Sequence, residues 1–258
     1  MKILWWIDIY GCYLMKSNQE GIGLPEVFIS LLLASFTLIL LMNQYLNAKQ
    51  HYLYFQEALD RHMDMELVTD LLRKSVHKAG FTPCSGIEHL ITADEHNEMS
   101  ALKSIVLWKN KHSSVQINRM SEHFDVVLDM VDAESLLSTE ANVLKRGQKL
   151  LIADCYHAEV KEVQTVIQTS AGQFVRFTHP LIFQYRAPIY LGEWIQEAYF
   201  IGTDQHLFYR FQQTEELTTV VKSMSSKIES YDARLLLQVI FGLRHEKPII
   251  IETMVRTP

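Results

Sequence analysis

The chain has 258 residues, of which 48% are hydrophobic and 21% charged, with 10 Gly and 6 Pro. These proportions exclude collagen-like, low-complexity and wholly disordered chains, and the length allows one or two domains. The net charge of −6 argues against a strongly basic nucleic-acid binder, and the three Cys are too few for a disulfide-dense miniprotein.

The apolar residues concentrate near the N-terminus. Val27 to Ala48 is a run of 22 residues without a formal charge. At about 1.5 Å per helical residue it spans roughly 33 Å, one hydrocarbon core. A secretory signal peptide would have a shorter apolar stretch and a small-residue cleavage site after it. Here the helical pattern continues through Asn43 to Lys49, so the segment reads as a retained membrane helix. A buried core helix of a soluble protein is the alternative. Glu26 stands at the lip of the run. A carboxylate there is costly in lipid unless paired, although a helix N-terminus also favours an acid through its dipole.

Past the membrane run, Tyr52, Phe55, Leu59, Met63, Leu67, Leu71 and Leu72 recur at three- to four-residue spacing. Gln56, Asp60, Arg61, Glu66, Asp70 and Arg73 fall between them. This spacing predicts an amphipathic continuation with the apolar stripe packed on a partner layer. Ala79-Gly80, then Thr82-Pro83, is the usual order of helix termination. One helix from about Pro25 to Ala79 is implied, with no Pro or Gly to kink it between Glu26 and Lys78.

From Phe81 onward the pattern turns to strands: 104–108, 124–128, 150–153, 160–168, 174–177, 197–201, 206–210 and 249–252. Gly202-Thr203-Asp204 reads as a hairpin turn, and Glu215 to Lys227 as a short helix. The fold class is α+β: a long N-terminal helix, half transmembrane and half amphipathic, packed on a mostly antiparallel β-sheet domain.

The 11 His form no His-x-x-x-His pair with a helical Glu, and no Cys-x-x-Cys exists. Arg61 to Glu66 reads as a polar helix face. His89 and His96, with Asp94, Glu95 and Glu98, read as an exposed loop, with a cation site as the less favoured alternative. No Gly-x-Ser-x-Gly elbow, Walker loop or intact dinucleotide fingerprint is present. No catalytic, metal or cofactor site is assigned.

The stretch Gly21-Ile22-Gly23-Leu24-Pro25-Glu26-Val27-Phe28-Ile29 resembles the processing signal of type IV prepilins, with Ile22 in place of the more usual Phe and Gly23 where Thr or Ser is common. Further blocks resemble the PilW-type minor pilins: Lys49 to Tyr52, Gln56 to Leu59, Leu71 to Lys74, Ala79 to Cys84, and Leu144 to Cys155. Ala198 to Ile201, Leu207 to Arg210 and the closing strand Ile249 to Arg256 continue the series. The resemblance implies cleavage between Gly21 and Ile22 by a prepilin peptidase and N-methylation of Ile22. It implies that Glu26 pairs with the N-terminal amine of an adjacent subunit during assembly. It divides the chain into a leader (1–21), a transmembrane half-helix (22–48), an amphipathic half-helix (49–80) and a globular domain (81–258). A start at Met15 gives the short leader usual in that family, and a long leader from Met1 is the alternative.

The same resemblance implies an inner-membrane protein with a periplasmic domain, later part of a fibre at the cell surface. The implied partners are the prepilin peptidase, other minor pilins, the major pilin, membrane lipid before assembly and a PilY-type tip adhesin. No direct nucleic-acid binding is expected. In the oxidising compartment of a pilin domain, Cys84 and Cys155 are expected to form a disulfide, two separate buried thiols being the alternative. A type II secretion pseudopilin shares the leader, the helix and the α+β domain, but the Ala79 to Cys84 and Leu144 to Cys155 blocks favour the pilus family. A single-pass membrane protein with an extracytoplasmic binding domain leaves the Gly21 and Glu26 pattern unexplained.

Overall fold

Leu24–His77 forms one α-helix, α1, and every strand among the described residues follows it. The computed structural model describes residues 23–94, 100–108, 113–139, 142–231, 234–243 and 247–255. The chain divides into two units, residues 1–58 and 59–258.

In the first unit α1 exposes a long apolar run, including Leu24, Phe28, Leu32, Phe36 and Leu40. It is the one helix among the described residues long and apolar enough to cross a membrane. In this unit its Ser and Thr side chains bond within the helix. The hydroxyls of Ser30, Ser35 and Thr37 donate to the carbonyl oxygens of Val27, Leu32 and Ala34 at 2.8–2.9 Å. Such back-bonding removes the penalty of an unpaired hydroxyl in hydrocarbon.

In the second unit the rest of α1 buries Met65, Val68, Leu72 and Val76, at spacings of three and four. This corrects the stripe expected from sequence. Leu59, Met63 and Leu67 are exposed, and of the expected set Leu72 alone is fully buried. Residues two apart lie about 200° around a helix, so α1 carries two apolar stripes on roughly opposite sides. Periodicity alone does not choose between them. The supposed polar face of Arg61 to Glu66 likewise contains the buried Met65, and Asp64 accepts a hydrogen bond from Thr218 at 3.0 Å. Gly80 then ends the helical segment at φ 69°, and a Cβ there would meet Ser104 at 2.8 Å.

Among the described residues thirteen strands follow: β1 (Ile91–Asp94), β2 (Ile105–Trp108), β3 (Ser114–Met130), β4 (Ser135–Ser138), β5 (Lys149–Ala153), β6 (His157–Thr169) and β7 (Gly172–Phe177), then β8 (Tyr190–Ile201), β9 (Leu207–Arg210), β10 (Thr214–Thr218), β11 (Val221–Tyr231), β12 (Arg234–Leu243) and β13 (Ile249–Met254). Ten form one sheet, ordered β10-β9-β8-β5-β6-β7-β4-β3-β2, with β1 added parallel to β6 and a further pairing of β3 with β8. That last pairing closes a ring: β3, β8, β5, β6, β7, β4 and back to β3, antiparallel throughout. The 17-residue β3 makes the closure. Its register shifts between Met120 and Phe124, and its far end then pairs with β4. A bulge of this kind bends a strand enough to turn a corner. Closure leaves the ring strands without the open edges that invite aggregation.

Three cores result. One fills the ring: Leu136, Leu150, Ile152, Val163, Val175, Phe177 and Leu191. A second lies outside it, where Ile87, Leu90 and Leu102 cover Met120, Leu151, Val160 and Trp194. The third joins α1 to Val115, Ile117, Tyr199 and Ile201 and to the separate antiparallel sheet β11-β12-β13, through Val239, Phe241 and Ile251.

Glu215 to Lys227 is not helical. It forms β10, a turn at Thr219-Val220 and the start of β11. The β-branched run Thr218 to Val221 disfavours helix, and β12 supplies a strand partner from Val221↔Leu243 to Tyr231↔Arg234. Strands β1, β4 and β12 were also absent from the sequence reading. Asp94 lies on β1 instead of in a loop, and His89 closes a 3-10 turn. His96, Glu95 and Glu98 lie outside the described residues.

Candidate functional site

The acid at the start of α1 is placed by local chemistry. Glu26 lies in the first helical turn, and its backbone N–H donates to the Gly23 carbonyl at 2.9 Å. The carboxylate is exposed, beside exposed Leu24 and Val27. An acid at a helix N-terminus is stabilised by the helix dipole, and in hydrocarbon a cationic partner would be drawn to it strongly. Gly21 and Ile22, the expected processing positions, lie outside the described residues.

The exposed apolar surface continues beyond the membrane-length run. In the second unit Leu59, Met63 and Leu67 are each more than half exposed, at 52–57%. Scattered apolar side chains on a surface mean little, but a helical stripe of them marks a surface built to be covered.

Cys84 and Cys155 form a disulfide, with Cα atoms 5.2 Å apart and a sequence separation of 71. Cys84 lies just past α1, and Cys155 lies in the β5–β6 turn. The bond therefore ties the outer covering segment to the ring. By chain entropy, closing a loop of this length contributes up to about 4 kcal/mol.

That turn is built around Asp154, whose side chain is fully buried. Burial raises its pKa, but the backbone N–H groups of Arg186, Tyr156 and His157 outweigh this and hold it below the usual carboxylate value. The donors lie at 2.8, 2.7 and 2.6 Å. Tyr156, His157, Gln184, Tyr185, Arg186 and Ile91 line a cavity of about 510 Å³ beside the disulfide.

Two buried ionic groups hold the fold in place around these features. Inside the third core, Arg119 donates to Glu197 at 2.8 and 3.2 Å, and Ser75 of α1 donates to the other carboxylate oxygen. Inside the ring, Lys161 Nζ lies 3.4 Å from Glu159 and donates to the Pro180 carbonyl at 2.7 Å. Glu159 also accepts from Tyr185 Oη at 2.7 Å and from the Ile182 N–H at 3.1 Å. These bonds fix the irregular segment 178–189 across the end of the ring.

Among the described residues one group of ligand-type side chains comes together, Asp204, His206 and Glu216. Sequence reading missed it, having weighed the His89 to Glu98 region instead. The Asp-x-His spacing beside the hairpin turn was visible, but Glu216 joins only through the pairing of β9 with β10.

In comparisons with family models, curated proteins and solved structures, the chain gave no match.

Proposed function

We propose that the protein is a minor pilin subunit of the PilW type, which primes assembly of a type IV pilus and sits at or near its tip. The observation that carries this reading is the exposed apolar helix with Glu26 in its first turn, joined to a disulfide-bonded α+β domain. Before assembly the helix anchors the subunit in the inner membrane. Glu26 then pairs with the N-terminal amine of a neighbouring subunit, and this attraction, weakly screened in lipid, sets the axial register. The apolar surface from Leu24 to Leu46 packs helix on helix in the fibre core, with the exposed stripe Leu59, Met63 and Leu67 extending that contact. Other minor pilins and the major pilin are the partners, and a PilY-type adhesin is the cargo at the tip.

The test is the N-terminal mass of protein extracted from membranes with and without the prepilin peptidase. A chain beginning at N-methylated Ile22, seen only with the peptidase, is the expected result. An intact chain beginning at Met1 or Met15 in both would overturn the reading in favour of a single-pass membrane protein.

A further inference from the structure

We propose that Asp204, His206 and Glu216 form a binding site for a divalent transition-metal ion, with Zn²⁺ the ion of choice, at the β8–β9 turn. Their ligand atoms all lie within 4.8 Å of one another. His206 Nδ1 is 3.5 Å from Asp204 Oδ2 and 3.1 Å from Glu216 Oε1. Four-coordinate Zn²⁺ with bonds of about 2.0–2.1 Å keeps its ligand atoms about 3.3–3.4 Å apart, the edge of that tetrahedron. Both measured separations fall close to that edge. The nitrogen itself is shut off from solvent and makes no hydrogen bond, although two carboxylates face it. In the neutral imidazole with its proton on Nε2, Nδ1 is an acceptor facing two carboxylates, and a metal ion would satisfy all three groups.

The backbone positions the three groups. The Gly202 N–H donates to the His206 carbonyl at 2.9 Å, and Gln205 sits at φ 60° between them, so the turn folds tightly. The His206 N–H donates to Asp204 Oδ1 at 3.3 Å, leaving Oδ2 towards the imidazole. A Cβ at Gly202 would lie 2.7 Å from the Asp204 carboxylate and 2.5 Å from the Phe208 ring, so only glycine leaves this space free. Glu216 arrives from β10, opposite Phe208 of β9 in the ladder.

The donor set decides the ion. One imidazole nitrogen and two carboxylate oxygens suit Zn²⁺ and its first-row neighbours, whereas Ca²⁺ and Mg²⁺ favour all-oxygen shells. With neutral His206 the pocket carries two negative charges, which a divalent cation balances. The carboxylates of Asp204 and Glu216 are 47% and 43% exposed, so ions reach them from solvent and water completes the shell. The Cys84 and Cys155 thiols are committed to their disulfide and do not compete.

The test uses the full-length protein in detergent, stripped with chelator and titrated with Zn²⁺ by calorimetry, and with Co²⁺ by visible absorption. One equivalent should bind at micromolar or tighter affinity, with the intense d–d bands of a four-coordinate site for Co²⁺. His206→Ala, Glu216→Gln and Asp204→Asn should each weaken binding at least about tenfold, since losing a ligand costs no less than losing a supporting residue. Asp204→Asn changes one exposed turn residue and serves as the variant least able to disturb folding, checked by an unchanged circular dichroism spectrum. Binding no tighter than millimolar, or binding that all three variants retain, would overturn the assignment.

Discussion

Ser75 and Glu197 lie 122 residues apart in sequence and share a hydrogen bond inside the core. Ser75 has one proton and gives it to Glu197, so the Tyr199 hydroxyl, 2.9 Å away, is the donor to Ser75. Arg119 balances the carboxylate. The helix is thus tied to β8 by a specific polar chain set within apolar packing. Breaking a buried ion pair at one end costs about 3–5 kcal/mol, and an unpaired buried hydroxyl about 1–3 kcal/mol. Glu197→Gln should therefore lower unfolding stability more than Ser75→Ala. Urea denaturation of both variants and their combination checks the order and gives a coupling energy, which residues in one network should show.

The pH dependence has two limbs. Asp154 is held below its ordinary value of 3.8, so it contributes stability above that pH and loses it as pH falls through the folded value. Tyr209 is pushed up from 10.0 to about 12, first by burial and then by the Glu197 charge. Its contribution is complete below pH 10 and is lost as pH rises towards 12. Thermal unfolding across pH should show a plateau between these limits. Asp154→Asn should make the acid limb shallower, and Tyr209→Phe should remove only part of the alkaline one, because burial also raises Tyr185 and Tyr199.

The ring interior offers a third test. Glu159 and Lys161 are both buried, on the interior face shared by Ile152 and Leu150. Lys161→Met alone leaves Glu159 without its cation and should destabilise by about 3–5 kcal/mol. Adding Glu159→Gln should recover part of that loss, because an uncharged amide needs no counter-ion. Chemical denaturation of the two single variants and the double variant reads the difference.

Assembly supplies the fourth. If the proposed pilin reading holds, Glu26→Ala should leave processing largely intact while reducing incorporation into fibres, since the exposed carboxylate has no partner among the described residues. Met63→Lys, on the exposed stripe, should likewise leave the unfolding free energy within about 0.5 kcal/mol of the parent and reduce incorporation. Immunoblots of sheared fibres against whole cells measure both, and unchanged incorporation in both variants would count against the assembly reading.

The long helix was legible because its signals are local: an uncharged run, three- to four-residue spacing and a terminal Gly80. Most strands were found because alternation and β-branched residues are also local. The misread parts depend on distant partners. Leu235 to Leu243 is an apolar stretch interrupted by Gln238, and it becomes β12 only between β11 and β13. The buried face of α1 was misassigned because both stripes have helical spacing, and contact with Tyr199 and Phe241 selects Val68 and Val76. The disulfide was expected only through the oxidising compartment that the pilin resemblance implies, and here the two Cα atoms do come within bonding reach. Closure of the ring left no trace in sequence, since one long strand meeting β8 and β4 at its two ends looks like any other.

The Cys84–Cys155 bond also sets how the protein would answer a mechanical pull. A load entering through α1 and leaving through the C-terminal sheet crosses from Cys84 to Cys155 over a Cα separation of 5.2 Å. The chain between them, which holds β1 to β5, carries none of that tension. Fully extended, a segment of 71 residues would add about 240 Å of slack. With the bond intact that length stays hidden, and the stretched protein lengthens only through its remaining strands. Reduction would turn the same domain into a far longer tether, which makes oxidation state a determinant of reach as well as of stability.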